Sequence, residues 1–187
     1  MLSESERKTL LDLARRTLEA LLTGQPVPHA DVESPALRQP GGAFVTLKNH
    51  GRLRGCIGIF ESPKPLVETV QQMAAAASRD PRFLSNPISA EELEGLDIEI
   101  SVLSPLEKVS DPLKEIELGR HGISIEGPYG SGCFLPQVAT ETGWSKEEFL
   151  SKCASMKAGL APDAWKWPDV TVYRFEAEVF GEKEEEP

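Results

Sequence analysis

The sequence predicts an α+β fold with a mainly antiparallel sheet flanked by helices. Three observations carry that prediction. The elements run helix, hairpin, helix, strands, helix, strand, without the strict βαβ rhythm of a parallel sheet. Two pairs of apolar runs are joined by short glycine-containing turns, Asn49-His50-Gly51 and Gly127-Pro128-Tyr129-Gly130. Residues 97–103, "DIEISVL", set Ile98, Ile100 and Val102 against Glu99 and Ser101, the alternation of a half-buried strand.

Residues 3–22 form the first helix. Ser3 and Glu6 have capping-box spacing, Leu10, Leu11, Ala14, Leu18, Leu21 and Leu22 fall on one stripe, and Gly24 ends it. A long connection over 25–42 follows, with four prolines and Gly41-Gly42, and it carries no readable motif. "AFVTLK" and "RLRGCIGIF" make the first hairpin. The second helix, 64–77, has Pro65 in its first turn and is stopped near Pro81. After the strand at 97–103, "HGISIE" and "SGCFLP" form a second hairpin. The third helix, 145–156, opens on a Ser145–Glu148 capping box and stops at Gly159. The last strand, "VTVYRFEAEVF", puts Tyr173, Phe175, Ala177 and Val179 on its apolar face, and residues 182–187 form a disordered acidic tail.

The 187 residues suit one domain with a sizeable core. A net charge of -10 argues against a nucleic-acid footprint and against binding to acidic membranes. No stretch approaches the length of an apolar membrane span. Three cysteines, with no signal-peptide pattern in residues 1–22, point to reduced thiols in the cytoplasm.

"RLRGCIGIF" is an unusual strand. Leu53, Ile57 and Ile59 share one face, expected to be the core, and Cys56 lies on the other between Arg54 and Gly58. Gly58 would leave the surface beside the sulfur open, Gly55 would let the backbone bend, and Arg54 would favour thiolate, the reactive form. The competing reading makes Cys56 a small buried hydrophobe under the second helix, with glycines that permit close packing; residue types alone favour it. A zinc set of Cys56, Cys133, Cys153 and His121 lacks the short ligand spacing of structural sites. "HGISIEGPYGSG" lacks the lysine and the strand-to-helix setting of a phosphate loop. Neither a metal nor a cofactor is expected.

The blocks "LRGCIGIF" (53–60), "RDPRF" (79–83), "LDIEISVLSPLE" (96–107), "GRHGISIE" (119–126), "LPQVATETGW" (135–144), "EEFLSKCASMKAGL" (147–160) and "DAWKWPDVTVYRFEAEVF" (163–180) resemble the AMMECR-type domain in order and spacing. That resemblance implies an α+β fold with a smaller β-rich subdomain, placed at about 104–140, and a cleft between the subdomains lined by the signature strand. It implies no securely established reaction. It also implies the company of radical-SAM and Memo-type proteins, as protein A of an AmmeMemoRadiSam system. The positions carried over are Arg54, Gly55, Cys56, Gly58, Asp80, Arg82, His121, Gln137, Trp144, Cys153 and Lys157. Cys133 stands where the family commonly has an aliphatic residue.

Two functions follow as expectations. In one, the protein is a binding or accessory component, with Arg54, Gly55, Gly58, Asp80, Arg82 and Gln137 meeting a small anionic ligand, a peptide or a partner. In the other, Cys56 is a nucleophile or carrier and His121 moves its proton. The first is preferred, because no complete triad, metal set or cofactor loop is visible.

Overall fold

A computed structural model describes residues 1–183. Most of the expected acidic tail, 184–187, lies outside the described residues. The chain divides into two compact units, Met1–Leu103 with Glu178–Pro187, and Ser104–Ala177.

In the first unit, α1 (Glu4–Thr23) begins at the Ser3–Glu6 capping box, and Gly24 closes it at a left-handed φ of 69°. A short α2 (Pro35–Arg38) interrupts the long connection. Strands β1 (Ala43–Asn49) and β2 (Arg52–Ile59) form the expected hairpin. Its two-residue loop holds His50 at φ 48° and Gly51 at φ 75°, the positive pair that a tight hairpin turn of this hand requires. Helix α3 spans Leu66–Ala77, and β3 spans Leu96–Leu103. The three strands lie in the order β2-β1-β3, antiparallel throughout, so β2 is an edge. One face of this sheet, with Ala43, Val45, Leu47, Ile98 and Ile100, packs with Leu10, Ala14 and Leu18 of α1 and Val70, Ala74 and Ala77 of α3. Glu182 is held rather than loose: its carboxylate pairs with Arg15 and accepts the Ile98 N–H at 3.1 Å.

The second unit contains β4 (Glu107–Val109), α4 (Pro112–Glu115), β5 (His121–Gly127), β6 (Gly130–Phe134), α5 (Pro136–Thr142), α6 (Lys146–Lys152) and the first part of β7 (Thr171–Gly181). Strand β5 pairs antiparallel with both β6 and β7. The unit extends past residue 140, the limit expected from sequence, because one core joins Ile123, Ile125 and Phe134 to Phe149, Leu150, Cys153, Trp165 and Val172. The third expected helix is α6 followed by a π-turn, Cys153–Lys157. That turn lies against β6 so closely that a Cβ at Gly132 would be 2.3 Å from the Lys157 carbonyl carbon.

Two alternation patterns differ from expectation. In β2, register shifts between Leu47 and Lys48: Leu47 pairs with Gly55 and Lys48 with Leu53, so Arg54 is a bulge residue. The extra residue inverts the pattern and leaves Leu53 40% exposed on the outer face instead of in the core. In β7, Phe175 is buried as expected, but Val172, on the opposite face, also enters the core of its unit as the register partner of Ile125, and Val179 is exposed.

Candidate functional site

The Cys56 region is built by a sheet edge. Gly55 belongs to the core face, where a Cβ would be 2.0 Å from the Ala77 carbonyl oxygen; glycine here lets the end of α3 rest on the strand. Cys56 points to the other face, opposite Thr46, whose hydroxyl donates to the sulfur at 3.2 Å. Gly58 pairs with Phe44, and a Cβ at Gly58 would be 2.2 Å from the Phe44 ring. The space beside the sulfur expected to be open at Gly58 is therefore covered by an aromatic side chain.

On the open edge of β2 two side chains replace a neighbouring strand. The Cys56 N–H donates to Asp80 Oδ2 at 3.0 Å, and Arg82 Nη2 donates to the Cys56 carbonyl at 3.2 Å. Asp80 is 2% exposed and also accepts from the Arg82 backbone N–H and guanidinium, so its buried charge is well partnered. The Arg82 guanidinium, seconded by the Cys56 and Arg82 N–H groups against burial, holds the Asp80 carboxyl far below the usual carboxylate range. Pro81 and the Asp80 cap fix the 3₁₀ turn Pro81–Phe83 that carries Arg82 into place.

Arg82 takes the place beside the thiol that sequence spacing gave to Arg54. Arg54 turns away from the thiol into a two-pronged pair with Glu92, Nε and Nη2 each at 2.8 Å, and Nη2 also donates to the Asn86 carbonyl. Arg54, with Asn49 and the Ser89 N–H, holds Glu92 down at about 2. Arg82 keeps a 56% exposed side chain, and its charge interacts with Cys56. The cation presented beside the sulfur is thus Arg82.

His121 and Gln137 belong to the second unit, apart from this cluster in the chain's division. Gln137 stands on α5, with its Oε1 buried and without a hydrogen-bond partner among the described residues. His121 opens β5. Pairing and alternation put His121, Ile123 and Ile125 on the same sheet face as Glu176, Arg174 and Val172. That face is core at Val172 and turns polar from Arg174 onward. There it borders a cavity of about 400 Å³ whose lining includes Glu107, Glu117, Arg120, His121, Arg174 and Glu176. The Glu117 N–H donates to His121 Nδ1 at 3.0 Å, which leaves the imidazole proton on Nε2. Burial, then the charges of Arg174 and Arg120, push the His121 pKa down, while Glu176 and Glu117 oppose them.

Of the remaining candidates, Cys153 is fully buried, and burial pushes its thiol up. Trp144 packs at a tilt against Phe134, with Lys152 Nζ 5.8 Å from its ring centre. Thr46, Phe44 and Glu92 escaped sequence reasoning. The first two become legible only once the hairpin register is known, and Glu92 only once the bulge turns Arg54 aside. Among the described residues no three His, Cys, Asp or Glu side chains gather as a metal set, and no helix is long and apolar enough to cross a membrane.

The fold and this sheet-edge arrangement define an α+β protein of two units with a cysteine-bearing edge strand. The AMMECR1 family model matches residues 11–180, and the chain belongs to that family. A protein of Methanothermobacter thermautotrophicus is 43% identical over 188 residues, covering 97% of this chain and 96% of its own. Protein TK0174 of Thermococcus kodakarensis is 44% identical over 185 residues, 93% of this chain and 89% of its own. The crystal structure of the uncharacterized protein PH0010 from Pyrococcus horikoshii matches with a TM-score of 0.83 at 41% identity, covering 93% of this chain and 90% of that one.

Proposed function

We propose that this AMMECR1-family protein is a cytoplasmic binding component, without chemistry of its own at Cys56. It would serve a modification system of radical-SAM and Memo-type proteins and present the Cys56–Arg82 edge to an anionic group of a ligand or partner. One observation carries the reading. The Cys56 backbone is engaged by Asp80 and Arg82, and among the described residues the hydrogen-bond partner of its sulfur is the Thr46 hydroxyl rather than an imidazole or carboxylate. A nucleophilic thiol needs a base to take its proton, and Arg82 beside the sulfur can favour a thiolate but cannot accept that proton. Arg82, by contrast, spends Nε and Nη2 on Asp80 and the Cys56 carbonyl and keeps Nη1 on a 56% exposed side chain, a fixed donor for one oxygen of a carboxylate or phosphate. The association with radical-SAM and Memo-type proteins rests on family resemblance.

The test is co-purification of the full chain with radical-SAM and Memo-type proteins from the same genome. Cys56→Ser is expected to retain binding, and Arg82→Gln to weaken it by about tenfold or more. Loss of binding in neither variant would overturn the role of this edge. The Thr46 hydroxyl aimed at the sulfur supports the second reading, a cysteine enzyme, since it would stabilise a thiolate. Saturable modification of Cys56 by a substrate, abolished in Cys56→Ser, would establish that reading instead.

A further inference from the structure

The polar cavity of the second unit is independent of the β2 edge and has its own chemistry. His121 is 6% exposed and fixed as the Nε2–H tautomer, and among the described residues no acceptor hydrogen-bonds that N–H; Glu176 Oε1 is 3.9 Å away. His121 lines the cavity, and its Nε2–H is not a fully buried atom, so it opens to the cavity and is available to a ligand. Arg120 and Arg174 flank that N–H. Arg120 binds Glu176 Oε1 through Nε at 2.9 Å and Nη2 at 2.8 Å, and Arg174 binds Glu107 Oε2 through Nε at 3.0 Å and Nη2 at 2.9 Å. These pairs use one oxygen of each carboxylate. Glu176 Oε2 and Glu107 Oε1 accept no hydrogen bond among the described residues.

We infer that this cavity binds a small zwitterion whose carboxylate accepts the His121 Nε2–H beside Arg120, and whose ammonium is met by Glu107 and Glu176. The charge count selects this class. Four glutamates line the cavity (Glu107, Glu115, Glu117 and Glu176), against Lys114, Arg120 and Arg174. A bare anion would face surplus negative charge, and a bare cation would make no use of the His121 N–H donor that opens to the cavity. The volume of about 400 Å³ is that of a small-molecule site, and a lining this polar calls for a ligand as polar as itself.

The experiment uses ¹⁵N-labelled full chain and follows the His121 Nε2 resonance while each of the common L-amino acids is added, with acetate and methylammonium as single-charge probes. At least one amino acid is expected to give a saturable shift, with acetate and methylammonium binding about tenfold or more weaker. His121→Asn keeps an acceptor for the Glu117 N–H and removes the outer donor; followed through the Arg120 Nε resonance, it should bind that amino acid about tenfold or more weakly. If His121→Asn fails to fold, Arg120→Gln, at a 60% exposed side chain, is read by the same titration with the same expectation. No saturable shift up to about 10 mM, acetate binding as tightly as the amino acid, or unchanged affinity in the variant read would each overturn the assignment.

Discussion

At the scale of single residues, the outer face of β2 is decided by Phe44. Its ring lies where a Gly58 side chain would be. Gly58→Val is therefore expected to destabilise the protein by about 1–3 kcal/mol, the usual cost of overpacking. Phe44→Ala in the same chain should recover part of that loss, and thermal melts of the two single variants and the double variant measure the coupling. Arg54→Lys keeps a charge but loses the fork that holds Glu92; a stability loss of about 1–2 kcal/mol is expected. Iodoacetamide labelling of Cys56 should not change in that variant, because the guanidinium faces Glu92 rather than the sulfur. Acid should act at these same sites. Asp80 and Glu92 have folded pKa values below their unfolded ones. Their contribution is fully present above about pH 5 and is lost as pH falls, for Glu92 through about 2 and for Asp80 lower still. Glu92→Gln should flatten the fall in melting temperature between pH 5 and about 2; an unchanged slope would place the acid sensitivity elsewhere.

At the scale of elements, legibility follows locality. The helix starts at Ser3 and Ser145, the stop at Gly24 and the two hairpins depend on neighbours within a few residues, and the sequence states them directly. The face of Leu53 does not, because one unpaired residue in β2 reverses it, and a bulge leaves no mark in composition. Short α5 was equally hidden, since seven residues that begin with a proline carry too little periodicity. The glycines were recognised as sites of close approach, but the approaching groups were α3 at Gly55 and an aromatic ring at Gly58. The same device recurs in β5, where Gly122 pairs with Phe175 and a Cβ would be 2.4 Å from its ring. Gly122→Ala is therefore expected to lower the melting temperature of the protein, while Gly51→Ala, with open space around its Cβ, should show only the strain of its positive φ. Equal losses in calorimetry would refute the contrast.

At the scale of the whole molecule, the candidate site divided in a way that spacing along the chain does not reveal. Arg54, Gly55, Cys56, Gly58, Asp80 and Arg82 belong to one compact unit, and His121 and Gln137 to the other. The strand pattern supplied Arg54, Gly55, Cys56 and Gly58, the resemblance added Asp80, Arg82, His121 and Gln137 as site residues, and the fold assigned each to its neighbours. The first unit is itself discontinuous: Leu2 and Arg7 bind Glu178, and Arg15 binds Glu182, across the whole of Ser104–Ala177. This has a consequence in time rather than in space. The second unit needs only a continuous run of chain, whereas the first must close a long loop before α1 is pinned, and loop closure costs entropy before the contacts return it. Refolding is thus expected to be ordered. In pulse-labelling hydrogen exchange, amides of β5 and β6 should gain protection before those of α1 and the C-terminal end of β7, and Glu182→Gln with Glu178→Gln should slow the α1 phase while leaving the β5 phase unchanged.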